Sequence, residues 1–208
     1  MINVIIKQLL QLFSFGHFLF RSRRLPNSIC LTFDDGPSLE YTGKLLDILK
    51  QNNIKAIFFL IGNNVERYPD LARRILDEGH QIGGHTYSHT EIPSMSPRQA
   101  IDDLFTTRNI FKKKLKHDSV LFRPPRGRLN IRNTLCILFN GYKIVHWSVT
   151  YSDYLKDGSD QLNQRISRRP PRSGDIILLH DNNQHTLESL PFLVDQCNQR
   201  KLSFTTIL

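Results

Sequence analysis

Two adjacent carboxylates, Asp34 and Asp35, follow the apolar run 29–33 and are followed at once by Gly36 and Pro37. The run reads as a strand and the Gly-Pro pair as its stop. Where a strand ends and the chain turns, both carboxylates can reach one cleft. Like charges so close repel, and a nearby cation relieves the repulsion. On the hexapeptide Thr32-Phe33-Asp34-Asp35-Gly36-Pro37 alone, a turn whose Asp caps the next helix competes with this reading. A second group is His85-Thr86-Tyr87-Ser88-His89. Imidazoles four residues apart share one face of a helical turn and can reach one metal ion. Gly83 and Gly84, just before, let the backbone turn tightly. Two imidazoles and a carboxylate make a three-ligand site with room for water, suited to one divalent ion: zinc first, with cobalt, nickel or iron compatible. In Arg123-Pro124-Pro125-Arg126-Gly127 the prolines stiffen a loop that can aim an Arg or a backbone N–H at a reacting centre. The stretch 147–154 supplies Asp153 and an aromatic residue, and the run 175–180 ends in His180. A histidine paired with an Asp is a candidate acid with a raised pKa.

Each of these side chains lies at the carboxyl end of an apolar, β-prone run. The runs are 28–33, 54–60, 80–84, 119–123, 143–149, 175–180 and 203–207. Helical patterns lie between most of them. One covers 44–50, and another covers 69–78 and ends at Gly79, a C′ glycine. Ser96-Pro97-Arg98-Gln99 reads as a capping box with Pro at N1, opening a helix to about Leu115 with Ile101, Leu104, Phe105 and Phe111 on its buried face. A helix over 130–140 ends at Gly141, and one over 186–201 either bends at Pro191 or holds it in its first turn. Strand–helix alternation predicts an α/β fold with parallel strands and outer helices. Seven strands suggest a TIM-type barrel short by one unit and incompletely closed, with an open doubly wound sheet as the alternative. In a parallel barrel the carboxyl ends converge on one face, where sites form.

At 208 residues the chain suits one domain with a proper core. Its formal charge of +9 favours anionic neighbours: acidic glycan, lipid headgroups or nucleic acid. Nucleic acid is disfavoured, because there is no zinc finger and no strand alternating aromatics with Arg or Lys. Cys30, Cys136 and Cys197 sit in apolar sequence and read as buried free thiols, compatible with a reducing compartment. The basic loop 168–172 reads as solvated surface. Residues 1–24 form a separate segment ahead of a domain at 25–208. Its residues 2–20 are apolar, with Lys7 as the only full charge, and Lys7, Gln11, Ser14 and Arg21 mark a polar stripe at helical spacing. Arg21, Arg23 and Arg24 follow the apolar run rather than precede it, so a signal peptide is not expected. The segment either covers one end of the core or lies on a membrane surface. A cytoplasmic enzyme is the expected setting, with peripheral membrane contact through residues 1–24 as the second option.

As a set, TFDDGP, HTYSH, RPPRG, the pair Asp153-Tyr154 and Leu178-Leu179-His180 resemble the polysaccharide deacetylase (NodB homology) family, the family 4 carbohydrate esterases, from about residue 29 to the C-terminus. The resemblance implies a distorted, incomplete (β/α) barrel of about seven strands. It also implies metal-dependent removal of N-acetyl, sometimes O-acetyl, groups from amino-sugar polymers such as chitooligosaccharide, peptidoglycan or exopolysaccharide. By the same resemblance, Asp35, His85 and His89 bind the metal. Asp34 is the general base, and Arg123 orients it and tunes its pKa. His180 is the acid that protonates the leaving amine, and Asp153 holds its imidazole. Leu178 and Tyr154 line the acetyl-methyl pocket, and the Arg126 N–H is the oxyanion donor. The family usually has an aromatic residue where Arg126 stands, Trp where Tyr154 stands and Asp where Thr150 stands. These departures leave the metal and acid–base set intact, while Arg126 makes the groove floor cationic and points to an anionic or unusual glycan. Two other readings compete: another amide or an ester as substrate, and a non-catalytic glycan- or membrane-surface module.

Overall fold

Residues 28–34, Ser-Ile-Cys-Leu-Thr-Phe-Asp, are buried along their whole length, as a strand covered on both faces must be. This strand is the centre of the molecule in a computed structural model that describes residues 16–21, 26–155 and 157–207. The strands are β1 (Phe18–Leu19), β2 (Ser28–Asp34), β3 (Ile57–Leu60), β4 (Gln81–Gly84), β5 (Leu121–Phe122), β6 (Lys143–Val145), β7 (Val149–Thr150), β8 (Ile176–His180) and β9 (Ser203–Phe204). They run in the order β1-β6-β5-β4-β3-β2-β8-β7, with β9 also on β2, and every pairing is parallel. Among the described residues β1 and β7 do not pair, so the barrel stays open, as an incomplete (β/α) barrel is. Around it lie α1 (Thr42–Gln51), α2 (Gly62–Arg67), α3 (Pro69–Asp77), α4 (Pro97–Ile110), α5 (Ile131–Phe139), α6 (Ser159–Arg168) and α7 (Gln184–Gln199).

Side-chain alternation along β2 divides the core. Ile29, Leu31 and Phe33 pack outward with Leu45, Leu49 and Leu190 of the helices. Cys30 faces the other way, with Ile57, Phe59, Leu121, Val145 and Ile176. Thr32 and Asp34 share its parity, so the same alternation that fills the barrel interior places Asp34 at its upper rim.

Four local expectations change. First, the run 143–149 is two strands, because Ser148 leaves the β6 line and donates its N–H to the Ile176 carbonyl at 3.0 Å. Second, Phe18–Leu19, expected to be helical, form β1. The His17 and Leu19 carbonyls accept N–H groups of Ile144 and His146, each at 2.7 Å, so this piece pairs into the sheet. Residues 1–15 of the expected helix, and Arg23 and Arg24, lie outside the described residues. Third, α4 opens with the expected Ser96–Gln99 capping box but ends at Ile110 in a π-helical turn (Phe111–Leu115). Phe105 on it is 40 % exposed, edge-on to Tyr142, because its side chain points off the buried stripe. Fourth, Arg169 in the basic loop is not merely solvated: it donates to the buried Asp175 at 2.6 Å. Pro191 falls inside α7 rather than in its first turn, and the helix is capped by Asn183. Cys30 and Cys197 are buried free thiols as expected, while Cys136 is half-buried.

Gly83 in β4 has no room for a side chain: a Cβ there would meet the Phe59 ring at 2.7 Å and Leu121 Cβ at 3.0 Å. Gly83→Ala should therefore cost about 1–3 kcal/mol, as overpacking does. Urea unfolding measures it; an unchanged midpoint would show that the Phe59 ring can move aside.

Candidate metal and acid–base site

β2 ends at Asp34, and Asp35 takes a left-handed φ of +76°. That turn breaks the strand's alternation, so two consecutive carboxylates serve one cleft. His85 Nε2 lies 3.8 Å from Asp34 Oδ2 and 3.5 Å from Asp35 Oδ1. Gly36, next in line, is required by contact: a Cβ on it would lie 2.1 Å from Asp181 Oδ2. Asp181 is buried, its pKa pushed up to about 7 by desolvation, and its Oδ2 accepts from Thr42 Oγ1 at 2.7 Å.

The two histidines meet as expected, but not on a helical turn. They lie on a loop after β4 in which Thr86 and His89 both have left-handed φ, +61° and +60°. Gly62 and Asn63 N–H groups donate to the Thr86 and Tyr87 carbonyls at 3.0 and 2.9 Å, pinning the loop to α2. His89 Nε2 lies 3.3 Å from Asp35 Oδ1, and donor atoms of Asp35, His85 and His89 all fall within 4.8 Å of one another. Asp35 Oδ1 is buried with no hydrogen-bond partner. An orphaned carboxylate oxygen between two imidazole nitrogens is what a cation site requires, so the residues fit a metal ion. His85 Nδ1 lies 2.7 Å from the Arg123 carbonyl. That contact assigns the proton to Nδ1 and leaves the Nε2 lone pair toward Asp35. Burial holds the His85 pKa well below the usual imidazole range, against the pull of Asp35, so the ring is neutral as a ligand must be. Two asparagines that sequence reasoning missed steady Asp35. Asn182 Nδ2 donates to its Oδ2 at 3.1 Å and Asn64 Nδ2 to its carbonyl at 2.9 Å.

Arg123, at the end of β5, is fully buried. It donates to Asp34 Oδ1 (2.8 Å), Thr32 Oγ1 (2.7 Å) and the Val145 and His146 carbonyls (3.0 and 3.2 Å), with its guanidinium 4.1 Å from the Phe59 ring centre. Burial raises the Asp34 pKa, while the Arg123 charge and hydrogen bond and the His180 charge oppose the rise. The result is a carboxylate more basic than a solvated one.

His180, at the end of β8, places Nδ1 2.9 Å from Asp153 Oδ1, and its backbone N–H donates to Asp153 Oδ2 at 2.7 Å. Thr186 Oγ1 also donates to that Oδ2, at 2.7 Å. Burial alone would lower the His180 pKa, but the Asp153 bond and the charges of Asp153, Asp34 and Asp35 outweigh it and raise it to about 9. Despite burial, those same bonds to His180 and Thr186 hold the Asp153 carboxyl low.

Leu178 is buried one alternation below His180 and pairs across the sheet with Thr150. Tyr154 is exposed, edge-on to the His180 ring at 6.0 Å. Arg126 has a left-handed φ of +54° in a single tight turn (Pro125–Gly127). Its guanidinium lies 2.9 Å from Glu91, which also takes Arg128, so the cation expected on the groove floor is shared with a carboxylate rather than bare. From Asp35 and His89 an open cleft of about 840 Å³ runs past Leu39, Asn64, Arg67 and Tyr68.

Two outcomes follow from this geometry. Asn182→Ala should weaken divalent-metal binding by about 10–100-fold, the usual effect of losing a group that orients a ligand; calorimetric titration measures it, and unchanged affinity would show that Asp35 needs no such support. Asp153→Asn should drop the His180 pKa from about 9 to about 6.5 or below. A raised histidine pKa stabilises the fold fully below about pH 6.5 and loses that contribution as pH rises through about 9. Stability measured from pH 6 to pH 10 should therefore fall in the parent chain across that window, and the fall should be missing in the variant.

Comparison with known proteins identifies the family. The family model described as Polysaccharide deacetylase matches residues 21–145. Two Bacillus cereus proteins named peptidoglycan-N-acetylglucosamine deacetylase are each 34 % identical to the chain, over 184 and 191 residues. The alignments cover 86 % and 88 % of this chain, and 66 % and 89 % of the relatives. The solved Bc1960 peptidoglycan N-acetylglucosamine deacetylase, in complex with 4-naphthalen-1-yl-N-oxidanyl-benzamide, superposes with a TM-score of 0.85 at 32 % identity, covering 91 % of this chain and 90 % of that one. The barrel, its rim of Asp, His and Arg side chains and these matches together place the chain in the polysaccharide deacetylase family.

Proposed function

We propose that the chain is a metal-dependent deacetylase that hydrolyses N-acetyl groups of an amino-sugar glycan, with N-acetylglucosamine of peptidoglycan as the favoured substrate. The observation that carries this reading is the division of charge around the Asp35–His85–His89 cluster. Arg123 holds Asp34 and opposes the rise that burial gives its pKa, while Asp153 holds His180 protonated. A carboxylate made more basic by burial, beside a histidine that keeps its proton, is suited to work as the base to that histidine's acid. The names of the relatives support the glycan, and two imidazoles with one carboxylate favour zinc. When bound, a divalent ion there supplies Lewis-acid chemistry, polarising an acyl oxygen and lowering the pKa of water toward about 7.

The chain's own residues do the rest. Arg123 occupies Asp34 Oδ1, which leaves Oδ2 on the His85 side to take a proton from the water that attacks the acyl carbon. His180 Nδ1 is tied to Asp153, so its Nε2–H is the proton given to the amide nitrogen. A carbon–oxygen bond forms, the carbon–nitrogen bond breaks, and acetate and a free amine leave. The acid is indispensable because an unprotonated amine is a poor leaving group. Tyr154, edge-on to the His180 ring, and Leu178, two residues before it, would line the acetyl-methyl pocket, and the cleft past Leu39 and Tyr68 has room for neighbouring sugars.

Asp34→Asn should lower acetate release by about 10²–10⁴-fold, the span a positioned acid–base group contributes. It should keep one metal ion per chain, because Asp34 is not a ligand. Acetate assays on chitooligosaccharides and peptidoglycan fragments, with metal analysis of both proteins, test this. Normal turnover in the variant would remove Asp34 as the base.

A further inference from the structure

A surface helix ordinarily turns its apolar residues to the core and its polar ones outward. Helix α5, Ile-Arg-Asn-Thr-Leu-Cys-Ile-Leu-Phe, departs from this by carrying large apolar side chains on its outer side. Asn133, Thr134 and Ile137 face inward, and Ile137 packs with Phe18, Phe20 and Ile144. On the outer side Ile131, Leu135 and Phe139 are 79, 48 and 86 % exposed. They are spaced four apart and so form one continuous stripe. An uncovered apolar stripe of this sort marks a contact surface.

We propose that this face of α5 lies in the headgroup–acyl boundary of an anionic lipid bilayer. Three observations choose lipid over another occupant. The chain carries a formal charge of +9, and Arg132, beside the stripe, is exposed with no carboxylate partner among the described residues. Just before the helix, Arg126 and Arg128 share a single carboxylate, Glu91, which leaves a further net positive charge. Apolar faces bordered by cations are the pattern of interfacial helices. Third, a nine-residue helix is only about 13 Å long. Three side chains on it are a small surface against the roughly 800 Å² per partner of a stable dimer, whereas lipid insertion scales with whatever area is buried. Among the described residues no helix is long and apolar enough to cross a membrane, so the contact proposed is along the surface. Helix α5 starts beside the barrel mouth, just after the Pro125–Gly127 turn, and runs to the opposite end of the barrel, where β6 begins. Docked this way, the cleft would open beside the membrane, toward glycan held near it.

Flotation of the full chain with vesicles of phosphatidylglycerol and phosphatidylcholine, against phosphatidylcholine alone, tests the proposal. The parent chain should float with the anionic vesicles only. Leu135→Asp combined with Phe139→Asp should reduce the bound-to-free ratio at least about tenfold, as loss of two inserted apolar side chains implies. Its thermal midpoint should stay unchanged, since both side chains are exposed. A double variant that floats like the parent, or a parent that floats with neither vesicle, overturns the proposal. A parent dimer in light scattering that the double variant splits would overturn it too, by giving the stripe to a second copy.

Discussion

The site is built against one buried cation. Arg123 has no contact with water, and a guanidinium so placed must satisfy its charge and its N–H groups inside the protein. It does so with Asp34, Thr32, two backbone carbonyls of the 145–146 segment and the face of Phe59. Those partners come from β2, β3 and the end of β6, so the requirement to neutralise one side chain locks three strands in register at the rim. The backbone of the same residue acts on the other half of the site, since its carbonyl holds the Nδ1 proton of His85. A single position thereby acts on the pKa of the proposed base and on the tautomer of a proposed metal ligand. Buried pairs of this type contribute little net stability, yet losing one partner costs about 3–5 kcal/mol because the other charge is left stranded. The arrangement is better understood as positioning than as reinforcement.

Around this pair the remaining groups are separated by the topology of the open barrel. β2 is flanked by β3 and β8, so the rim of β2 carries Asp34, the proposed base, while the adjacent rim of β8 carries His180. The two histidines enter from the other direction, by the loop after β4, to meet Asp35 beside the β2 rim. Asp34 and His180, opposite each other on paired strands, each have their own partner: Arg123 for Asp34 and Asp153 for His180. Close packing enforces the geometry, and Gly36 against Asp181 and Gly83 against Phe59 leave the loops and strands no slack.

Much of this was legible in the sequence, because the chemistry sits in short contiguous groups at the ends of apolar runs. Asp34-Asp35, His85 with His89, Arg123, Asp153 and His180 all read directly, and the alternation of strand and helix indicated an open parallel barrel. What did not read was set by partners far along the chain. Phe18–Leu19 become a strand only because β6, more than a hundred residues later, offers its edge. The histidine loop is shaped by left-handed residues and by N–H groups of α2, for which HxxxH spacing gives no local signal. Asn182 and Asn64 carry no motif, although each holds one side of Asp35. The charge of Arg126 was visible but its sharing with Glu91 was not.

The account depends on Asp35, His85 and His89 closing on one ion while Asp34 stays with Arg123. Anomalous diffraction from crystals soaked with zinc tests it most directly. The expected map has one strong peak per chain, in contact with Asp35 Oδ1 and the Nε2 atoms of His85 and His89, with the Asp34–Arg123 pair intact. A peak ligated by Asp34 in place of Asp35, or no peak at this rim under saturating zinc, would contradict it.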